Sequence, residues 1–402
     1  MGIEDISIAH VCQDEKFIDG AFHSFDLAFP GQNKFYVLVP PGAQNIRYIR
    51  KASNLTKVVI DGAEVELLLK VCEQHTLVVL HGITHSIALL IEKFDKPEKF
   101  VWLILGAEMY QNQHIYAGRL LGELTTKLRR HSAGKVGLTE FLRDIYRRVK
   151  YRSLAISQIS MEEQLEDIAR SIGRIKCCAS LLKEEFEYLE SRQKLADDAY
   201  YLPFTFYPIE YFIGKATEAS VVPPSGENIL IGNSASYTNN HLEVFEKLQS
   251  FDLRGRKLIT PLSYGDPQYI KAISKIGYRQ FPNNFHPLTE FLTIESYNEI
   301  LSSCSIVIMN HYRQQGIGNI LSTIYFGCKV YLSEESILYS FLRRIGCLVF
   351  SVESDLNAGN SETFKPLTLP DIEYNREILI AEISSDKVVS RLRKGVNDYL
   401  HS

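Results

Sequence analysis

A chain of 402 residues exceeds what one hydrophobic core usually serves, so two domains are expected. Its 45% apolar and 23% charged residues are ordinary for a soluble globular protein, and a net charge of −4 excludes a global basic field for nucleic acid, leaving only local anion sites. Seven cysteines, odd in number and without a Cys-x-x-Cys pair, argue against a disulfide framework or a structural zinc and fit a reducing compartment.

The first fifteen residues, MGIEDISIAHVCQDE, carry charges where a signal peptide needs an apolar core. The Met-Gly start lacks the Ser/Thr of a myristoylation signal, having Ile6 at that position. The longest uncharged run, Gln74 to Ile91, is broken by His75, His81, Gly82 and His85 and makes a poor membrane span. A soluble cytoplasmic protein is expected, with peripheral contact to the inner face of a membrane as an added possibility.

Ile6 to Val11 reads as a first strand, followed by an amphipathic stretch carrying Phe17, Phe22, Phe25 and Phe29. Phe35 to Val39, Ile46 to Ile49 and Val58 to Ile60 are further strand candidates. Leu77 to Leu80 ends in His81-Gly82, a helical pattern runs from Ser86 to Phe94, and Phe100 to Leu105 ends in Gly106-Ala107-Glu108. Apolar runs alternating with helices predict a parallel, doubly wound α/β sheet, with ligands beyond the carboxyl ends of its strands. That expectation puts His10, His81 and Glu108 on one rim as candidate catalytic residues. A carboxylate or imidazole at such a rim can act as a general base.

From Arg119 to Arg152 ten basic residues face three acidic ones, a local excess of +7, with leucines and Phe141 at helical spacing. Solvated helix faces explain this as well as contact with an anionic membrane does, at roughly 1 kcal/mol per basic residue near such a surface. Ile175 to Ala179 reads as the last strand of the first domain, Tyr200 to Tyr211 is aromatic and proline-punctuated, and Val221 to Glu227 is a linker. The expected domains are therefore 1–205, including the basic segment 119–152, and 226–402.

The second domain restarts the pattern. Asn228 to Ile231 is a strand, Gly232-Asn233-Ser234 its loop, and Asn239 to Leu248 a helix capped by Thr238 or Asn239. Lys257 to Ile259 leads to Pro261 and Tyr264, Phe285 to Leu292 carries another strand, and Thr293 caps a helix. The organising stretch follows: the strand Cys304 to Met309, then Arg313, Gln314, Gln315, Gly316, Ile317, Gly318 and Asn319 opening a helix that Gly327 ends. Helix-start N–H groups, the positive end of the helix dipole, glycines and an arginine suit a diphosphate. The spacing is neither the dinucleotide fingerprint nor a Walker loop, and a plain tight turn would look the same.

Gly232-Asn233-Ser234, Asn239-x-His241, Pro261-x-x-Tyr264 and Arg313-Gln-Gln-Gly-Ile-Gly318, in this order over roughly residues 228–345, resemble the TDP-N-acetylfucosamine:lipid II N-acetylfucosaminyltransferases, also filed as 4-alpha-L-fucosyltransferases of glycosyltransferase family 56. In the first half the likeness rests on His10-Val11, His81-Gly82 and Gly106-Ala107-Glu108-x-Tyr110, with Glu where a relative in the family has Asp. The resemblance implies a GT-B fold, two facing Rossmann-like domains with a cleft between them. It also implies a nucleotide-diphosphate sugar donor on the carboxy-terminal side, and a glycan or lipid-linked glycan acceptor on the amino-terminal side. Gly232, Asn233, Ser234, Tyr264 and Arg313 through Asn319 would hold the donor. No Asp-x-Asp occurs in the sequence, so no metal and no other cofactor is expected, and the helix start with Arg313 would stabilise the leaving diphosphate. A sugar-nucleotide epimerase of the same shape and a non-catalytic sugar-nucleotide-binding protein are the competing readings.

Overall fold

The structure, a computed structural model, describes residues 6–43, 45–51, 54–131, 159–213, 223–290 and 299–402. The chain divides into two compact units. Among the described residues, the first contains 6–118, 159–208 and 383–402, and the second contains 119–131 and 209–382.

The first unit is built on seven parallel strands: β1 (Ile8–Gln13), β2 (Asn33–Val39), β3 (Leu55–Val59), β4 (Leu77–His81), β5 (Phe100–Leu103), β6 (Cys177–Ser180) and β7 (Tyr200–Pro203). They lie in the order β3-β2-β1-β4-β5-β6-β7. β4, β5 and β6 are buried at every residue, as their unbroken apolar runs predicted for strands covered on both faces. β7 extends the sheet beyond the strand expected to be its last, because Tyr200 to Pro203 pairs in register with Cys177 to Ser180. The candidate strand Ile46 to Ile49 is instead a loop. The Asp14 carboxylate accepts hydrogen bonds from the backbone N–H groups of Arg47, Tyr48 and Ile49, which are thereby withdrawn from strand pairing.

The final helix, Ser385–His401, also belongs to the first unit, not to the carboxy-terminal domain where the sequence reading placed it. Leu392 and Val396 join a core containing Ile8, Phe25, Leu77 and Leu202. Each such burial contributes roughly 1.5–3 kcal/mol. Arg393 donates to the carbonyl of Ala28 at 2.8 Å, and Gly395 is small because a Cβ there would strike Leu202.

The second unit has six parallel strands: β8 (Asn228–Ile231), β9 (Leu258–Pro261), β10 (Phe285–Leu288), β11 (Cys304–Met309), β12 (Lys329–Leu332) and β13 (Phe350–Ser351). Their order is β10-β9-β8-β11-β12-β13. Residues 119–131, expected in the first domain, belong here, with a helix from 123 onward. Glu243 accepts from both the backbone N–H and the hydroxyl of Thr125 at 2.9 and 2.6 Å, Asn240 accepts from Gly122 N–H at 2.9 Å, and Leu128 packs on the core. The rest of the basic segment, 132–152, and the expected helix start Thr293–Glu295 lie outside the described residues.

Candidate functional site

In a doubly wound sheet the strand order reverses once, and the loops leaving the two strands at that reversal diverge, opening a crevice at their carboxyl ends. In the second unit the reversal lies between β8 and β11, whose loops are 232–240 and 310–316. These are the loops the motifs singled out.

The two loops are cross-linked by side-chain amides. Asn239 Oδ1 accepts from Asn233 N at 2.9 Å and is 2.8 Å from His311 Nε2. Asn239 Nδ2 donates to Ser234 Oγ and to the Ser236 carbonyl, each at 3.2 Å. Asn233 Oδ1 accepts from Gln315 Nε2 at 3.2 Å, and Gln315 Oε1 accepts from the Thr238 hydroxyl at 2.5 Å. Asn239 therefore does not cap the following helix as expected. That helix, His241–Leu248, starts at Asn240 in a left-handed conformation with φ 50°, without a side-chain cap.

Glycine is required at two points for reasons of close packing. Gly232 has φ +68°, and a Cβ there would lie 2.6 Å from His241 Nε2 and 2.7 Å from Asn239 Oδ1. Gly316 has φ +65°, and its Cβ would lie 2.6 Å from Asn233 Nδ2. Gly318 differs from expectation in its neighbour, since the space beside it is filled by the Phe212 ring and not left open for a ligand.

The helix Ile317–Phe326 has glycine at its N-cap, no side-chain cap and no acidic residue in its first turn. Ile317, Gly318 and Asn319 are half-buried, as are Arg313, Gln314 and Gln315 on the loop that leads to them. Helix-start N–H groups and the dipole, with Arg313 on the loop leading to them and no acidic residue in the helix's first turn, make an arrangement suited to a phosphate. His241 and His311 are fully buried, and burial lowers each pKa to about 3, so both imidazoles are neutral. Ser234 is buried and interacts with Tyr264, whose ring is 49% exposed. The Tyr264 carbonyl accepts from Ala235 N at 2.8 Å, and Gly265 is forced by the approach of the Ala235 backbone.

In the first unit the reversal lies between β1 and β4. His81 ends β4, as the sequence suggested, but His10 sits inside β1 rather than on its rim, stacked on Phe35 with ring centroids 4.1 Å apart. His10 Nδ1 is 3.0 Å from His81 Nε2, and His10 Nε2 is 3.1 Å from Asn33 Oδ1. Burial lowers the pKa of His10 to about 3 and that of His81 well below the usual imidazole range. Glu108 follows β5 and turns back on its own loop, where Oε1 accepts from Leu105 N at 2.9 Å and from Trp102 Nε1 at 3.1 Å. Burial raises its pKa while these hydrogen bonds oppose the rise.

Sequence reasoning did not single out Asn33 or Glu185. Asn33 opens a strand and carries no motif. Glu185 sits in the first turn of the helix Lys183–Ser191 next to Glu184, where nothing in the sequence marks it for burial, yet it is fully buried, accepts from the hydroxyls of Tyr110 and Ser180, and has its pKa raised to about 7 by burial. Among the described residues, His114, Glu162 and Glu166 bring three ligand-type atoms within 4.8 Å on the surface of the first unit, where His114 already pairs with Glu162 at 2.8 Å. No described helix is long and apolar enough to cross a membrane.

The family described as 4-alpha-L-fucosyltransferase, glycosyl transferase group 56, matches residues 171–360. Among solved structures, the chain is similar to the N-terminal domain of trehalose-6-phosphate phosphatase from Candida albicans at 11% identity, with 98% of this chain and 96% of that one covered and a TM-score of 0.61. It is also similar to sucrose-phosphate synthase from Thermosynechococcus elongatus at 11% identity, with 98% of each chain covered and a TM-score of 0.57. A glycosyltransferase from Rickettsia africae matches at 12% identity over 98% of each chain, with a TM-score of 0.56. These likenesses, at low identity, bear out the GT-B fold, and the family match bears out the resemblance read from the motifs of the second unit. The chain is a glycosyltransferase, moving sugar from a nucleotide-sugar donor.

Proposed function

We propose that this GT-B glycosyltransferase transfers fucose or a deoxy-amino sugar such as N-acetylfucosamine from a nucleoside diphosphate to a lipid-linked or cell-surface glycan, without a metal ion. The observation that carries the reading is the uncapped start of the helix Ile317–Phe326, presented beside Arg313 by two loops tied together at the β8/β11 reversal. The leaving diphosphate develops charge as the glycosidic bond breaks, and N–H groups fixed in advance stabilise it without reorganising. Arg313 adds a full charge that can be shared by two phosphate oxygens.

In this reading Ser234 places its hydroxyl against the sugar or phosphate, Gly232 and Asn233 shape the loop that carries it, their N–H groups being held by the Ile308 carbonyl and Asn239 Oδ1, and Tyr264 offers an exposed ring to the base or ribose. The first unit receives the acceptor, with His81 and Glu108 at the carboxyl ends of adjacent strands as the groups able to orient its hydroxyl. The basic segment 119–152 would bring the enzyme to the inner face of a membrane that carries the acceptor. Within it, Arg119 is paired with Glu335 at 2.6 Å, and Arg129 lies over the Tyr237 ring at 6.0 Å, so these two also serve the second unit.

The test is calorimetric titration with a panel of nucleoside diphosphates, followed by their sugar conjugates. Binding of at least one diphosphate, weakened in Arg313→Ala, is expected. Equal affinity of parent and variant would remove Arg313 and the adjacent helix start from the donor site.

A further inference from the structure

The side chains at the first unit's strand reversal form a directed chain of hydrogen bonds whose polarity can be worked out from its buried end. Asn33 Nδ2 is 2.7 Å from the Phe29 carbonyl and 3.2 Å from that of Phe25. Carbonyls only accept, so this end of the amide is its donor end and Oδ1 is the atom facing His10 Nε2 at 3.1 Å. His10 Nε2 must then carry a proton. The imidazole is neutral in its dry setting between Phe25 and Phe35, which leaves Nδ1 as a lone pair. His81 Nε2, 3.0 Å from that lone pair, must donate. His81 is neutral as well, so its Nδ1 is also a bare lone pair.

That Nδ1 is buried and meets no hydrogen-bond partner among the described residues. His81 is the last residue of β4, followed by Gly82 in a left-handed turn at φ +71°, and it stands at the β1/β4 reversal where sheets of this kind receive ligands. A buried acceptor left without a donor is costly to stability, and such orphans cluster where a ligand supplies the missing group.

We infer that Asn33 and His10 are positioning residues that hold His81 in its Nε2–H tautomer, so that its Nδ1 lone pair accepts a hydrogen bond from a hydroxyl of the sugar acceptor. This rests on the acceptor assignment of the first unit proposed above. A neutral, desolvated imidazole is a weak base, so the role is to orient the acceptor hydroxyl by accepting its hydrogen bond. The opposite tautomer would present an N–H and repel a hydroxyl proton.

The test has a spectroscopic and a kinetic arm, both on the full chain. Histidine labelled with nitrogen-15, with His81 assigned by its loss in His81→Gln, reports tautomers directly. The parent should show His81 unprotonated at Nδ1 and protonated at Nε2, and His10 the same. A protonated Nδ1 on His81 in the parent overturns the relay whatever the protein transfers. His10→Phe keeps the ring packed between Phe25 and Phe35 but removes the relay. It should mix the His81 tautomers and lower kcat/KM for the acceptor by about tenfold, with donor KM within about twofold. Intact tautomers in the parent with an unchanged acceptor kcat/KM in both variants, or a loss confined to donor KM, would overturn the role of Nδ1 and count against the acceptor assignment, while leaving the donor site untouched. Should His10→Phe fail to fold, the parent spectrum and His81→Gln carry both arms.

Discussion

Replacing Asn239 by leucine removes the amide that joins the β8 and β11 loops while keeping the branched shape of the side chain. Two buried donors lose their acceptor, the backbone N–H of Asn233 and the Nε2–H of His311. Leaving a buried donor unsatisfied costs about 1–3 kcal/mol, so the two together should cost about 2–6 kcal/mol. The Ser236 carbonyl and Ser234 hydroxyl lose a donor in the same change, so the upper half of that range is expected. Urea unfolding followed by far-ultraviolet circular dichroism, beside the fluorescence of Trp102 as the reporter of the first unit, would show a transition moved to lower urea by the former and less affected by the latter. In parallel, nucleoside diphosphate affinity should fall by about tenfold or more, because the loops presenting Ser234 and Arg313 lose their mutual register. A destabilisation under about 1 kcal/mol together with unchanged affinity would refute the claim that this amide organises the site.

Arg313→Ala should weaken nucleoside diphosphate binding by roughly 1.5–3 kcal/mol, the worth of a charge-assisted contact, as read by calorimetry. Transfer should persist in EDTA on the proposal that the helix start and Arg313 meet the leaving-group charge; activity lost to chelator and restored by magnesium or manganese would reject this. Glu185 holds its proton to about pH 7 when folded but releases it near pH 4.5 when unfolded, so stability falls as pH rises from 4.5 to 7 and levels off above. Glu185→Gln should flatten that slope, worth about 3 kcal/mol across the window, and an unchanged stability profile would show that the buried carboxyl is already ionised. Gly318→Ala should destabilise the second unit by about 1–3 kcal/mol through overpacking against Phe212, whether or not nucleotide is bound.

The parallel α/β plan was legible because β4, β5 and β11 are buried on both faces and so appear as unbroken apolar runs. The loop-to-helix step at Gly316 and Gly327 was legible because both positions have positive φ, which glycine alone adopts without strain. Contacts remote in sequence were not. The helical spacing of Val388, Leu392 and Val396 announces an apolar face but not the sheet that covers it, so the last helix was assigned to the wrong half. Ile46 to Ile49 has strand composition, yet the Asp14 carboxylate more than thirty residues away holds its N–H groups. Similarly, Asn239 carries the composition of a helix cap, and only the proximity of His311, 72 residues later, turns its side chain inward.

The two units resolve a shared difficulty in the same way. A histidine buried at a strand reversal is useful for recognition only if its proton sits on a defined nitrogen, and burial alone leaves the two tautomers close in energy. In each unit an asparagine removes the ambiguity, because backbone groups that cannot exchange roles fix the direction of its amide. In the second unit the Asn233 N–H obliges Asn239 to present Oδ1, which in turn obliges His311 to protonate Nε2. In the first, the Phe25 and Phe29 carbonyls oblige Asn33 to present Oδ1 to His10, and the preference passes on to His81. The backbone thus sets protonation at the carboxyl ends of the central strands, and an Asn→Asp change at either position would break that control by adding a charge that draws a second proton onto the ring.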